Sequence, residues 1–64
     1  MCESNVYSVG KSDQPLMSDV VLVTVDGDQI RLRGILGSEK IVRGKIVKID
    51  LLNHRLFIEE QWQS

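Results

Sequence analysis

Hydrophobic and polar positions alternate in short runs along the chain, and no run has the period of about 3.6 residues that marks an amphipathic helix. The strongest run covers residues 20–25, where four valines and a threonine favour a strand because branched side chains pack well on a pleated surface. Its nearly continuous apolar character predicts burial on both faces, by the barrel interior and by a partner subunit or flap. Residues 29–33 alternate, which predicts that Ile30 and Leu32 point inward and the two arginines outward.

Three further strands follow from the same reading. Residues 4–9 and 55–59 are the predicted first and last strands, and residues 38–51 form a long strand pattern that Gly44 interrupts. A lone glycine inside a strand pattern predicts a bulge or a sharp bend. The chain is therefore expected to bend at Gly44.

Short turn signals separate these strands. The Asp26-Gly27 pair predicts a hairpin with a type I′ turn. Residues 52–54 form the predicted turn before the last strand, in which Asn53 is able to take the left-handed conformation. Ile35 and Leu36 stand between two glycines and are predicted to plug one end of the barrel.

Together these elements predict an all-β fold, a small SH3/Sm-like barrel of five to seven short antiparallel strands. Residues 1–64 form a single domain in this interpretation. A chain of this length buries a modest core, so a metal or a partner subunit is expected to add stability. The only cysteine is Cys2, which excludes an internal disulfide. With no secretory signal and no apolar run of membrane-spanning length, the sequence favours a cytoplasmic protein without membrane contact.

The N-terminus carries the sharpest chemical signal. Cys2 stands one peptide bond from the α-amino group of Met1. That amine and the Cys2 amide nitrogen close a five-membered ring on a metal ion, and the amide nitrogen and thiolate close a second. This donor set suits a planar ion such as Ni(II) or Cu(II) rather than Zn(II), which prefers tetrahedral sites. One chain supplies too few soft ligands, so a two-fold homodimer sharing one metal is predicted.

Two alternatives limit this interpretation of Cys2. The first is that Cys2 is a small apolar residue at the start of a strand. The second is that the initiator Met1 is removed, which leaves Cys2 with one chelate ring from its own amine and thiolate. Both alternatives stay open at the level of sequence.

Other polar residues have simpler explanations. His54, the only histidine, lies in a predicted turn without a second ligand at metal-binding spacing, which favours an exposed turn residue. Asp26 and Asp28 lack the further acidic positions of an EF-hand. No Ser/His/Asp set, paired catalytic carboxylates or glycine-rich phosphate loop is present, so the protein is not expected to be an enzyme.

Charge provides an alternative function. The net charge is −1, without the basic signature of a nucleic-acid binder, but residues 29–58 hold seven basic and two acidic residues, a net of +5. The alternative is an Sm-like RNA-binding module that uses the basic face of residues 31–48. Its basic groups are Arg31, Arg33, Arg43 and Lys45, and no aromatic residue lies among the arginines of residues 31–43.

Several segments together resemble a known family. They are residues 1–7, 19–21, 25–28, 34–37 and 44–54, and they resemble the CooT family over nearly the whole chain. The resemblance implies an Sm-like barrel that binds Ni(II) through Cys2, usually as a homodimer with the metal at the subunit interface. It further implies a nickel chaperone or carrier for maturation of carbon monoxide dehydrogenase or another nickel enzyme. Only Cys2, with the amine of Met1, carries over as a ligand position.

Overall fold

Five strands form a closed barrel in the order β1-β2-β3-β4-β5 in the computed structural model, which describes residues 3–10 and 14–61. The strands are β1 Ser4–Ser8, β2 Met17–Asp26, β3 Gln29–Gly34, β4 Glu39–Asp50 and β5 Arg55–Glu60. Consecutive strands pair antiparallel, whereas β1 and β5 pair parallel and close the ring. When five strands alternate in direction, the first and last run the same way, so the closing pair is parallel. The predicted all-β barrel is confirmed, with this pair as the exception to antiparallel pairing.

Alternation along the strands fills the interior. Ile30 and Leu32 are fully buried. Arg31 and Arg33, which alternate with them along β3, are exposed, as the sequence predicts. Among the described residues the buried core is one apolar cluster, to which each strand contributes: Val6, Val20, Ile30, Leu32, Val42, Leu56 and Ile58. No helix in residues 3–10 and 14–61 is long and apolar enough to cross a membrane.

The apolar run in β2 is not buried on both faces. Val20 is 3% exposed, but Val21, Leu22 and Val25 are 51%, 49% and 54% exposed. A barrel made from one sheet has an interior and an outer face, and in the described chain no second layer covers the outer face of β2. The outer face of this run is therefore exposed in a single chain, and its burial by a partner subunit stays a prediction.

β4 changes partners at Gly44. Residues up to Arg43 pair with β3, and residues from Gly44 onward pair with β5. Gly44 has φ +153°, and a Cβ atom added there would overlap the carbonyl oxygen of Glu59. The bend predicted at this glycine is confirmed. The bulge lies elsewhere, at Val47, between the pairs Ile46–Ile58 and Lys48–Phe57.

Two turns differ in detail from the prediction. Gly27 has φ +64° whereas Asp28 does not have positive φ, which matches a type II′ turn rather than type I′. In the β4–β5 turn the left-handed residue is His54, with φ +55°, and not Asn53. Asn53 instead donates hydrogen bonds to Asp50, from its backbone nitrogen to Oδ1 (3.2 Å) and from Nδ2 to Oδ2 (3.0 Å).

The loop between β3 and β4 does not plug the barrel. Ile35 is 44% exposed and Leu36 is 94% exposed. The turn is closed on itself, since the Gly37 backbone nitrogen donates to the Gly34 carbonyl oxygen at 3.0 Å. Because the core cluster already fills the interior, both side chains remain on the surface, and the prediction is wrong.

Candidate functional site

β1 begins where hydrogen bonds join four segments of the chain. The Asn5 backbone nitrogen donates to the His54 carbonyl oxygen (3.0 Å), and the Asn5 side-chain oxygen accepts from the Asp19 backbone nitrogen (3.4 Å). The Asp19 carbonyl oxygen in turn accepts from the Ile35 backbone nitrogen (2.9 Å). We call this network of residues 5, 19, 35 and 54 the N-terminal corner.

Local backbone geometry builds the corner. Asp19 (φ +57°) and His54 (φ +55°) are the two non-glycine residues with positive φ in the described part of the chain, and both belong to it. Aspartate and histidine tolerate this conformation better than most residues. Asp19 lies in β2 where the β1–β2 register shifts, one residue before Val20, which pairs with both β1 and β3, and His54 ends the β4–β5 turn. These two strained positions let the four segments meet.

The β4–β5 turn begins at Asp50, which accepts both hydrogen bonds from Asn53. They lower the pKa of Asp50, and the nearby charges of Lys48 and Arg55 lower it further. Asp50 is therefore ionised at neutral pH and fixes the turn that ends in His54.

The loops next to the corner carry exposed leucines. Leu36 follows Ile35 and is 94% exposed, while Leu51 and Leu52 precede His54 and are 78% and 87% exposed. Exposed leucine side chains that follow each other in a loop are candidates for contact with another molecule. The two loops that carry Ile35 and His54 of the N-terminal corner therefore each hold exposed leucine side chains.

The predicted ligands Cys2 and Met1 lie outside the described residues. Glu3 is the first described residue, and Ser4 begins β1 at the corner. Among residues 3–10 and 14–61, no three His, Cys, Asp or Glu residues are grouped so that they could hold a metal ion. His54 is an exposed turn residue, as predicted.

The basic residues of the RNA-binding alternative lie on β3 and along β4. Arg31 and Arg33 lie on β3 and Arg43 lies opposite Gln29 on the first half of β4, while Lys45 follows the Gly44 bend. Two of the cations lie next to acids. Arg33 forms an ion pair with Glu39 at 2.8 Å, and Lys45 is the register partner of Glu59.

One aromatic cluster was not predicted from the sequence. The rings of Tyr7 and Phe57 stack with centroids 5.5 Å apart, and the Lys48 ammonium lies 5.3 Å from the centre of the Phe57 ring. Tyr7 and Phe57 meet because they are register partners in the parallel β1–β5 pair. A pairing between the first and last strands leaves no signal in the local sequence.

The Arg33–Glu39 pair gives the fold a pH dependence. Hydrogen bonds from the Arg33 guanidinium to Glu39 (3.1 and 2.8 Å) lower the pKa of Glu39 below its ordinary value of 4.5. A lowered pKa in the folded state stabilises the fold above pH 4.5, and this contribution is lost as the pH falls through the lowered value. We expect Glu39→Gln to lower the urea midpoint slightly at pH 7 and to match wild type in strong acid. A difference that stays constant from pH 7 to pH 3 would contradict this assignment.

Comparison with known proteins identifies the family. A family model described as "CO dehydrogenase accessory protein CooT" matches residues 1–59. An uncharacterized protein of Methanothermobacter thermautotrophicus is 48% identical over 61 residues, which cover 95% of this chain and 92% of the relative. An uncharacterized protein of Methanocaldococcus jannaschii is 37% identical over 59 residues, which cover 92% and 98%. No solved structure matches the chain significantly. The family is one of accessory proteins, which confirms the prediction that the chain is not an enzyme.

Proposed function

Because the chain belongs to the CO dehydrogenase accessory protein CooT family, we propose that it is a cytoplasmic nickel carrier that binds Ni(II) through Cys2 at a homodimer interface. It supplies nickel for maturation of carbon monoxide dehydrogenase or another nickel enzyme. The observation that carries the proposal is the family match, which spans residues 1–59 and includes Cys2. The accessory role is given by the family, and the metal, its ligands and the dimer are the proposed part.

The ligand chemistry favours nickel as the cargo. The Cys2 thiolate and amide nitrogen, with the Met1 amine, give nitrogen and sulfur donors that suit a planar ion. The described residues provide no group of three potential ligands of their own. A second copy of the chain is then the simplest source of the remaining donors, which supports a two-fold dimer around one metal.

The hydrogen bonds of the N-terminal corner support this arrangement because they fix the start of β1, which follows Cys2 in the sequence. Asn5, three residues after Cys2, is held by hydrogen bonds to His54 and Asp19. Two residues span at most about 7 Å of extended chain, so the Cys2 backbone stays within that reach of Ser4. Leu36 and Leu52 are exposed, lie within two residues of Ile35 and His54 in the sequence, and supply apolar area for a second copy or for the enzyme that receives the metal.

A nickel titration followed by thiolate-to-metal charge-transfer absorption tests the proposal. We expect saturation at about one Ni(II) per two chains, because two corners share one ion. Cys2→Ser is expected to remove the band and to weaken binding by more than about 100-fold, since loss of a ligand exceeds the effect of losing an outer-shell contact.

His54→Asn is the matched control. It removes the only histidine, and asparagine tolerates the positive φ of this position (+55°). We expect its nickel band and affinity to equal those of wild type. An unchanged band in Cys2→Ser, or a band lost in His54→Asn and kept in Cys2→Ser, would refute Cys2 as the ligand.

A further inference from the structure

A small cavity lies on the outer face of the β2–β3 hairpin. It has a volume of about 100 Å³ and is lined by Thr24, Asp26, Gln29 and Arg31. Thr24 pairs with Arg31 across the two strands, and Asp26 pairs with Gln29, so the four side chains form a block of cross-strand neighbours. Residues two apart on a strand share a face, and this face is the exposed one. We call this site the hairpin cavity.

The two charged residues of the hairpin cavity have no oppositely charged register partner. Arg31 is paired with Thr24 and Ile41, and Asp26 is paired with Gln29. In the part of the chain that the structure describes, neither charge takes part in an ion pair. The next arginine along β3, by contrast, is held by an acid of β4. A cation and an anion therefore line one cavity without neutralising each other.

These groups match the two charges of a zwitterion. The guanidinium of Arg31 binds a carboxylate through two parallel hydrogen bonds, and the carboxylate of Asp26 accepts hydrogen bonds from an ammonium group. The Thr24 hydroxyl and the Gln29 amide each supply a donor and an acceptor for the remaining oxygen or nitrogen atoms. A lone anion would be attracted by Arg31 but repelled by Asp26, and a lone cation the reverse. The cavity therefore favours a molecule that carries both charges.

The volume of the hairpin cavity narrows the ligand to a free α-amino acid. One water molecule takes about 30 Å³ in the liquid, so a cavity of about 100 Å³ has room for only a few non-hydrogen atoms. An α-amino acid carries its ammonium and carboxylate groups on one carbon atom, so both charges enter the cavity together. In a polypeptide the same two groups stand at opposite ends of the chain. The free amino acid is therefore the class that fits both the charges and the volume.

We propose that the hairpin cavity binds a free α-amino acid, with its carboxylate on Arg31 and its ammonium group on Asp26. Because both of these side chains are exposed, water weakens the two ion pairs, and we expect a dissociation constant on the order of 1 mM. The site lies on β2 and β3 and uses neither Cys2 nor the N-terminal corner. It is therefore an activity beyond nickel carriage and independent of the proposed nickel site.

Titration of the full chain with L-alanine, in EDTA and followed by backbone amide NMR signals, tests the proposal. We expect saturable shifts centred on residues 24–31. N-acetylalanine lacks the ammonium group and alaninamide lacks the carboxylate, so each is expected to bind about fivefold more weakly or worse. If N-acetylalanine binds as tightly as L-alanine, the cavity is an anion site, and if alaninamide does, it is a cation site. Either result would overturn the proposal.

Arg31→Gln and Asp26→Asn each remove one charge from the cavity and keep a polar side chain. Both are expected to raise the dissociation constant for L-alanine by about fivefold or more. Asparagine before Gly27 also suits a hairpin turn, so Asp26→Asn is expected to keep the fold.

Arg33→Gln is the matched control. It removes the same charge from the same face of β3 but lies outside the cavity lining, so it is expected to bind L-alanine like wild type. The absence of a saturable shift in the wild-type protein, or an equal loss of affinity in Arg33→Gln and Arg31→Gln, would overturn the proposal whatever nickel does.

Discussion

Gly44→Ala is expected to lower the free energy of unfolding by about 3 kcal/mol, combining strain at a positive φ with the cost of forced overlap. A Cβ atom at this position would overlap the Glu59 carbonyl oxygen, and it also lies within 3.0 Å of the Glu60 Cα atom. Both neighbours are backbone of β5, so they cannot move aside without breaking the β4–β5 pairing. For a domain with one small core, a loss of this size is a large share of the total stability.

Gly27→Ala is the matched control for Gly44→Ala. Gly27 also has positive φ (+64°), but nothing lies within 4 Å of an added Cβ atom. Gly27→Ala is therefore expected to lower the free energy of unfolding by about 1 kcal/mol, which is the cost of positive φ alone. Urea unfolding of both variants, followed by circular dichroism, separates the overlap from the strain. Equal midpoints would show that the close approach of β5 to Gly44 does not contribute.

The bend at Gly44 also matters for the site. It turns β4 from β3 toward β5, and β5 then pairs with β1, whose first residues lead to Cys2. The carbonyl of His54, just before β5, fixes Asn5 at the N-terminal corner. A change at Gly44 therefore acts on the nickel proposal through the fold, which is why Cys2→Ser and not a barrel variant tests the ligand.

The features that were predicted correctly depend on residues that are close together in the sequence. The alternation in residues 29–33 gave the inward positions of Ile30 and Leu32, because a strand has a side-chain period of two. The glycine at position 44 predicted the bend. Cys2 was singled out because its chemistry depends on covalent neighbours alone, and that ligand assignment remains a prediction.

Features that depend on distant parts of the chain were not predicted. The apolar run in β2 cannot reveal that one of its faces has no covering layer in a single chain. The stack of Tyr7 on Phe57 requires the register of the closing β1–β5 pair. The left-handed residue is His54 rather than Asn53 because Asp50 accepts both hydrogen bonds from Asn53 and sets the turn. Each of these outcomes depends on an interaction with another residue or strand, which a local sequence pattern does not identify.

Leu32→Ala and Leu36→Ala together test which leucine side chains belong to the core and which lie on the surface. Leu32 is fully buried, so truncation removes contacts on all sides and leaves a cavity, which costs about 2–5 kcal/mol. Leu36→Ala makes the same chemical change at a side chain that is 94% exposed, and it is expected to alter the free energy of unfolding by less than about 0.5 kcal/mol. Urea unfolding of both variants measures the contrast.

The same pair of variants separates folding from function at the N-terminal corner. Since Leu36→Ala is expected to keep the barrel intact, a weaker nickel-linked dimer or slower metal transfer in that variant would be assigned to the exposed surface beside Ile35. Destabilisation by Leu36→Ala comparable to that of Leu32→Ala would mean that the loop packs into the barrel after all. In that case the leucines beside the corner would be part of the core, and the apolar surface offered to a second copy or to the receiving enzyme would not exist.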